Sequence, residues 1–454
     1  MTDEVHEERV DVLVAGAGMS GLTVGAYAAL HGARVLVVEK GDEIGGSAIY
    51  AGGYVWTVES FRELKEQEAV GDPGLGHLLV EGYDRAITWL ESRGVALSAP
   101  HRVLFGRGRG VDIQGYLESC VRVIEVNGGY VVRNCALDEL LVDGPEGRVR
   151  GAILQDSGEA VSVCAMATVL TTGGFQGDPV LMDRYLGIPS TSFRIRANKF
   201  STGDGLLAAI GAGAGVTARD NRGFYGHLVC SPCALDDPKE FRALSQYHSP
   251  YAVLVDHSGR RFTDESRGDH WNAQLVARRD GARALLVWDA EINSRHVLEP
   301  YIQGTLGLDK VEVANLHGAR AAIAASHAEL GRIAESWEVD GGTLLNELSL
   351  YNAGVQKQDP QLTPPRVTNR HPIESAPFYV MEVAAGVTFT HGGIRTDSTM
   401  RVLDDSAETV PGLYAAGVDV GDVFKGGYAG GLALALTTGL RCAETIIGVI
   451  NDAR

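Results

Sequence analysis

A chain of 454 residues outgrows a single hydrophobic core, so at least two domains are expected. Its formal net charge of −18 sets it against nucleic acid and suits a cytoplasmic protein, and six cysteines are too few for a disulfide scaffold. The acidic opening, residues 1–8, has no apolar signal region, so no targeting segment is expected.

The first predicted element is an apolar strand, Val12-Leu13-Val14-Ala15, running into Gly16-Ala17-Gly18-Met19-Ser20-Gly21. One helix length later comes a second strand, Val35-Leu36-Val37-Val38, closed by Glu39. Strand, tight turn, helix, strand and terminal acid together describe a dinucleotide site. Gly16 permits the turn, Gly18 with Met19 and Ser20 brings backbone N–H groups to a pyrophosphate, and Gly21 lets helix pack on strand. Glu39 can accept hydrogen bonds from a ribose diol and would repel a 2′-phosphate.

Lys40 and the bare stretch Gly45-Gly46-Ser47-Ala48-Ile49-Tyr50-Ala51-Gly52-Gly53 follow directly. A nicotinamide dehydrogenase would continue here into a third strand–helix unit. This backbone instead suits a segment laid along an extended cofactor, with Lys40, Gly46, Ser47, Ala51, Gly52 and Gly53 beside phosphate and ribityl oxygens.

To about residue 226, short β runs alternate with amphipathic helices, with three strand-like runs in 148–172. The pattern then changes. Cys230-Ser231-Pro232-Cys233 leads to a hairpin at 251–262, helical patterns at 321–339 and 344–355, and an extended return linker at 358–366. Strands resume at Phe378. Residues 429–450 are apolar enough to raise a membrane helix, but Arg441 and Glu444 make a buried terminal helix the expectation, without membrane insertion. Residues 1–226 and 362–454 are therefore read as one cofactor domain split in sequence, with 227–361 inserted as a cap. The Cys230/Cys233 pair has no second pair and no βαβ context, so free thiols and no metal site are expected.

Five further segments carry a resemblance. Thr171-Thr172-Gly173-Gly174 ends a strand, Thr202-Gly203-Asp204-Gly205 opens a helix, and Arg261-Phe262-Thr263-Asp264-Glu265 closes the hairpin. Thr390-His391-Gly392-Gly393 and Gly412-Leu413-Tyr414-Ala415-Ala416-Gly417 complete the set, in register with the dinucleotide turn. Together they resemble the fumarate reductase/succinate dehydrogenase flavoprotein family, including the 3-ketosteroid dehydrogenases. The resemblance implies an α/β, Rossmann-like FAD-binding domain split in sequence, with an α+β cap. It adds Ala136, Thr172, Gly173, Gly174, Asp204, Gly417, Asp419, Gly431, Leu432 and Ala433 to the cofactor residues. Covalent members carry His where this chain has Gly46, so non-covalent FAD is expected.

The departures from that family's pattern point to the chemistry. Dicarboxylate enzymes place Arg two residues before the Gly430-Gly431 pair and His three before Gly392-Gly393; here stand Tyr428 and Phe389. Without those cations a C4 dicarboxylate would leave a desolvated carboxylate unpaired, so fumarate and succinate are excluded as substrates. Tyr428 and the N–H groups of Gly430 and Gly431 suit a ketone oxygen gaining negative charge. Proton transfer is assigned to His296 or Arg295, the former having the better-placed pKa. Glu265 reads as a structural partner of Arg261 in preference to an outer proton relay. His391 is placed near the flavin, and Tyr225 and His227 at the crossing into the cap, where substrate pockets form. The expected activity is α,β-dehydrogenation of a ketone, a smaller ring than a steroid given the chain length, with hydride passing to flavin N5. An ene-reductase running the reverse reaction on an enone, or a flavoprotein subunit feeding electrons to a partner chain, remain open. The electron acceptor is not legible.

Overall fold

Five consecutive buried residues, Asp11–Ala15, four of them apolar, leave the first strand covered toward both faces, the pattern of a central parallel strand. The computed structural model describes residues 8–144, 147–300, 302, 304–359 and 361–454; the opening residues 1–7 lie outside these.

The chain divides into two compact units, one of Met1–Gly187, Ala197–Gly223 and Phe389–Arg454, the other of Ile188–Arg196 and Phe224–Thr388. The first holds β1 (Glu8–Ala15), β2 (Val35–Glu39), β3 (Tyr54–Thr57), β4 (His101–Val103), β5 (Gly106–Gly110), β6 (Tyr130–Arg133), β7 (Cys135–Asp143), β8 (Arg148–Asp156) and β9 (Glu159–Leu170). The second is built on β10 (Phe193–Ile195), β11 (Phe224–Cys230), β12 (Val253–Val255), β13 (Arg283–Asp289), β14 (Ala321–Ala324) and the long β15 (Phe378–Thr390). The chain then returns to the first unit for β16 (Arg401–Leu403) and β17 (Thr409–Ala415).

In the first unit the main sheet runs β16-β17-β9-β1-β2-β6, with β8 pairing β9 and β7 pairing β8. β1 is parallel to β2 on one side (Val12 opposite Val35) and to β9 on the other (Leu13 opposite Thr168). The helix α1 (Met19–Leu30) crosses between β1 and β2, and a separate sheet β3-β5-β4 completes the unit. The last helix, α2 (Gly431–Ala453), is the one helix among the described residues long and apolar enough to span a membrane, and 67% of its most apolar stretch is buried inside the protein.

In the second unit β15 is the common partner: β10, β11, β13 and β14 all pair with it. This moves the return boundary. The cap was expected to end at 361, where the proline-rich stretch begins, but the second unit runs on to Thr388. Arg366 is the physical reason, for its guanidinium is sunk into the unit, donating to the carbonyls of Pro250 and Ala252 and to Glu265 Oε2. Two smaller expectations also shift. The runs in 148–172 are two long antiparallel strands, β8 and β9, and the first residues of the 321–339 helical pattern form strand β14 before a helix begins at His327.

Candidate functional site

The nucleotide turn is built as the glycine spacing requires. Gly16 has φ +108°, and a Cβ there would fall 2.2 Å from the Thr171 carbonyl oxygen. A Cβ on Gly21 would lie 1.9 Å from Gly16 O, so helix and turn touch only because both residues lack one. Gly18 caps α1 with no side chain bonded to the free N–H groups, leaving the first turn, Met19 and Ser20 included, with donors and a positive dipole end for an anion. Glu39 is buried, and its Oε2 and Oε1 accept the N–H groups of Ala17 (2.9 Å) and Gly41 (2.8 Å). Burial pushes its pKa up. Each oxygen keeps a second lone pair for a ribose hydroxyl.

Of the other residues expected at the cofactor, Lys40 donates to Asp204 Oδ2 at 2.8 Å and Thr202 Oγ1 at 2.6 Å, so Lys40 and Asp204 engage each other. Ser47 sits in the short turn Gly46–Tyr50, where its hydroxyl accepts the Asn198 N–H at 3.0 Å. Ala51, Gly52 and Gly53 follow it half-buried, as is Ala136 on β7. Asp419, in the turn that starts at Gly417, is fully buried. It accepts the Thr172 N–H, the Gly174 N–H at 3.2 Å and the Thr172 hydroxyl at 3.0 Å, while Gly173 N lies at 3.4 Å. Asp419 thus shapes the Thr172-Gly173-Gly174 turn. Asp419→Ala is expected to weaken FAD binding at least about tenfold by leaving these donors unsatisfied, read by flavin fluorescence on dilution.

Sequence reasoning missed three residues here. The Thr171 hydroxyl donates to Ala15 O and Gly16 O, both at 2.9 Å, joining β9 to the nucleotide turn. The Thr438 hydroxyl on α2 accepts the Gly417 N–H at 2.9 Å. Gln176 donates to Gly173 O, while its buried Oε1 has no protein partner. A buried acceptor with nothing to accept, together with two helix N-termini (at Gly18 and Gly430) lacking side-chain caps, fits a large polar cofactor with a diphosphate. Gly431, Leu432 and Ala433 form the first turn of α2.

The same unit gathers aromatic rings around Tyr428. Its ring centroid lies 5.6 Å from Trp56, 5.5 Å from Phe424 and 6.0 Å from Phe389, and His391 stands 5.8 Å from Phe424. Gly430 has φ +99°, and a Cβ there would strike the Trp56 carbonyl oxygen at 1.8 Å, so the turn exists only with glycine. The backbone does not present itself as expected. The Gly431 N–H donates to Tyr428 Oη at 2.8 Å, so that group is taken up by the phenol. A phenol that accepts in this way is also a hydrogen-bond donor.

In the second unit the structure links residues that the sequence reading had only placed near one another. Tyr225 Oη is 2.8 Å from His227 Nε2, and His227 Nδ1 is 2.8 Å from Asp269 Oδ2. The Asp269 Oδ1 accepts the His270 N–H. Burial lowers the His227 pKa, so the ring is neutral and carries its proton on Nδ1 toward the carboxylate. Burial would raise the Asp269 pKa, but His227 and His270 outweigh it and hold the carboxyl well below the usual range. Tyr225 therefore donates to His227, a Tyr–His–Asp chain. Asp269 went unnoticed because its partner lies on another element, with nothing local to mark it.

The expected acid–base pair stands differently. Arg295 is 62% exposed and pairs with Glu291, one turn earlier, at 2.8 Å. His296 stacks on Tyr251 at 3.6 Å between centroids, with no hydrogen bond among the described residues to fix its tautomer. Burial, with His371 and Arg295 nearby, lowers its pKa. Glu265 is structural, as favoured. It is fully buried and binds both Arg261 (2.7 Å) and Arg366 (2.9 Å). Glu265→Gln is expected to cost about 3–5 kcal/mol, since two buried guanidiniums lose their shared charge, measured as a lowered urea midpoint. Cys230 and Cys233 are buried free thiols; a hydrogen bond from Cys230 brings Cys233 down to about 7.

Among curated proteins, the chain is 28% identical to the NADH:fumarate oxidoreductase of Klebsiella pneumoniae, over 94% of this chain and 46% of that protein. It thus spans about half the length of that relative. It is also 28% identical to the 4-oxocyclohexanecarboxylate 2-dehydrogenase of Sinomonas cyclohexanicum, over 66% of this chain and 54% of that one. Among solved structures, 3-ketosteroid Δ1-dehydrogenase from Sterolibacterium denitrificans in complex with 1,4-androstadiene-3,17-dione shares the fold. Its TM-score is 0.78 at 20% identity, covering 97% of this chain and 100% of that one. The family model described as FAD binding domain matches residues 11–432, nearly the whole of both units, and the chain belongs to that family.

Proposed function

We propose that this protein is an FAD-dependent oxidoreductase acting on a CH–CH bond beside a carbonyl, dehydrogenating a cyclic ketone. The observation that carries the reading is Tyr428 at the start of α2, its phenol oxygen accepting the Gly431 N–H in the place where the dicarboxylate enzymes carry a cation. The name of the Sinomonas relative supports a ring ketone, and that of the Klebsiella relative supports chemistry at a carbon–carbon bond.

Non-covalent FAD fits the first turns of α1 and α2, Glu39, the Thr172-Gly173-Gly174 turn and Gln176, with Gly46 where covalent members carry His. Bound there, it supplies the acceptor for the hydride leaving the β-carbon. Within the second unit, Tyr225 can pass its proton to His227 Nε2 as it takes one up, and Asp269 steadies the imidazolium so formed. Tyr428 donates to the carbonyl oxygen as negative charge gathers there, the Gly431 N–H making the phenol a stronger donor. Arg295 and His296 lie outside this chain of transfers. The same groups run in reverse would reduce an enone.

Anaerobic mixing decides the direction. Oxidised holoprotein mixed with cyclohexanone is expected to lose its yellow absorbance. Reaction only between reduced protein and cyclohexenone would make it a reductase, and silence in both would remove the ketone reading.

A further inference from the structure

Two of the six cysteines stand together at the end of β11, wholly within the second unit. Cys230 is the last residue of that strand, and Cys233 follows after Ser231-Pro232. The segment between them is pinned from both sides. The Ser231 N–H donates to Glu382 O at 2.8 Å, the Ser231 carbonyl accepts the Arg320 N–H at 3.0 Å, and Arg194 Nε donates to the Cys233 carbonyl at 3.2 Å. Held so, the two thiols meet, the Cys230 S–H donating to the Cys233 sulfur. When protonated, Cys233 itself donates to the Ala234 carbonyl at 2.9 Å.

The two sulfurs are not equivalent. Cys230 is 1% exposed, whereas Cys233 keeps 8% of its surface. Positive charge gathers around the pair, His317 and Arg194 beside Cys233 and Lys310 beside Cys230. Ser245 fixes the place of Lys310, for its carbonyl accepts the ammonium at 2.9 Å and its backbone bridges to Val229, the neighbour of Cys230. The hydrogen bond from Cys230 brings the Cys233 thiol down to about 7, and the same bond, with burial, pushes the Cys230 thiol up. A more accessible thiol of low pKa in contact with a buried one of high pKa is the arrangement of an attacking and a resolving cysteine.

We propose that Cys230 and Cys233 form a reversible disulfide site, in which Cys233 begins exchange with a low-molecular-weight disulfide and Cys230 completes it. The Cys233 thiolate attacks one sulfur of the small disulfide, whose S–S bond breaks and expels a thiolate. Cys230 then loses its proton and attacks Cys233 Sγ, breaking the mixed disulfide and expelling the second small thiolate. The protein gives up two electrons, the small disulfide is reduced to two thiols, and the two S–H protons end on those thiols. Sulfurs already in hydrogen-bonding contact need only close to about 2.0 Å to be joined. β11 also carries Tyr225 and His227, so the bond ties down the end of the strand on which the proton chain stands. The site is independent of the ketone reading.

The test is thiol exchange on the native holoprotein. After incubation with glutathione disulfide, acid quenching and peptide mapping by mass spectrometry, Cys230 and Cys233 are expected to be joined, and dithiothreitol to return both thiols. Cys230→Ser, whose hydroxyl can still donate to Cys233, is expected to stop at the glutathione adduct on Cys233. In Cys233→Ser, modification of Cys230 is expected to be at least about tenfold slower than that of Cys233 in Cys230→Ser. Native protein that keeps both thiols, an adduct that never closes to the internal bond, or equal rates at the two sulfurs would overturn the assignment. Should either variant fail to fold, the native protein decides alone: the Cys230–Cys233 bond in the peptide map supports the proposal, and its absence overturns it.

Discussion

Tyr225→Phe is expected to lower kcat by about 10²- to 10⁴-fold, the range for a positioned proton-transfer group, with the visible spectrum reporting unchanged FAD. The reason lies in the chain behind it. A neutral His227, its Nδ1 proton committed to Asp269, can receive the phenol proton at Nε2; a protonated His227 cannot. Because burial puts the His227 pKa below its ordinary 6.5, the activity is present above that pKa and lost as pH falls through it. The acid limb of kcat therefore lies below pH 6.5 in the native enzyme and disappears in the Phe variant, whose residual rate no longer depends on that transfer. Asp269→Asn tests the positioning role. The amide can donate where the carboxylate accepted, favouring the other tautomer and depressing kcat with little change in KM. A Phe variant within twofold of native kcat, or one that keeps the acid limb, would refute the assignment.

Tyr428→Phe carries the next largest effect, a fall in kcat of about 10²- to 10³-fold, as for removal of one donor to a developing oxyanion. KM should move little, because the hydroxyl works hardest when the carbonyl oxygen bears charge. The same change orphans the Gly431 N–H at the start of α2, which is expected to cost about 1–3 kcal/mol and lower the melting temperature. The two effects separate cleanly in practice. Stabilising solutes would restore the melting temperature and leave the rate low, whereas a purely structural tyrosine would recover both.

The nucleotide half of the site was legible because its chemistry is local. Gly16, Gly18, Gly21 and Glu39 occur at the spacing that a turn, a helix start and a strand end impose, and the structure uses each where that spacing puts it. Tyr428 was singled out through a substitution against a known pattern, and its role is the proposal made above. The Tyr225–His227–Asp269 chain was only half visible, since Tyr225 and His227 are two apart on one strand while Asp269 comes from a helix with a separate sequence. The return boundary was misplaced for a related reason. Prolines at 364 and 365 mark an extended stretch, yet extended backbone can still be anchored, and Arg366 anchors it.

The lateness of β15 has a consequence for biosynthesis. The sheet of the inserted unit has its common partner at Phe378–Thr390, and the first unit needs β17 and α2 from beyond residue 400. Neither half can be finished on the ribosome until these late segments have been translated. Nascent chains therefore emerge with long apolar strands awaiting distant mates, the state in which chaperones are needed most.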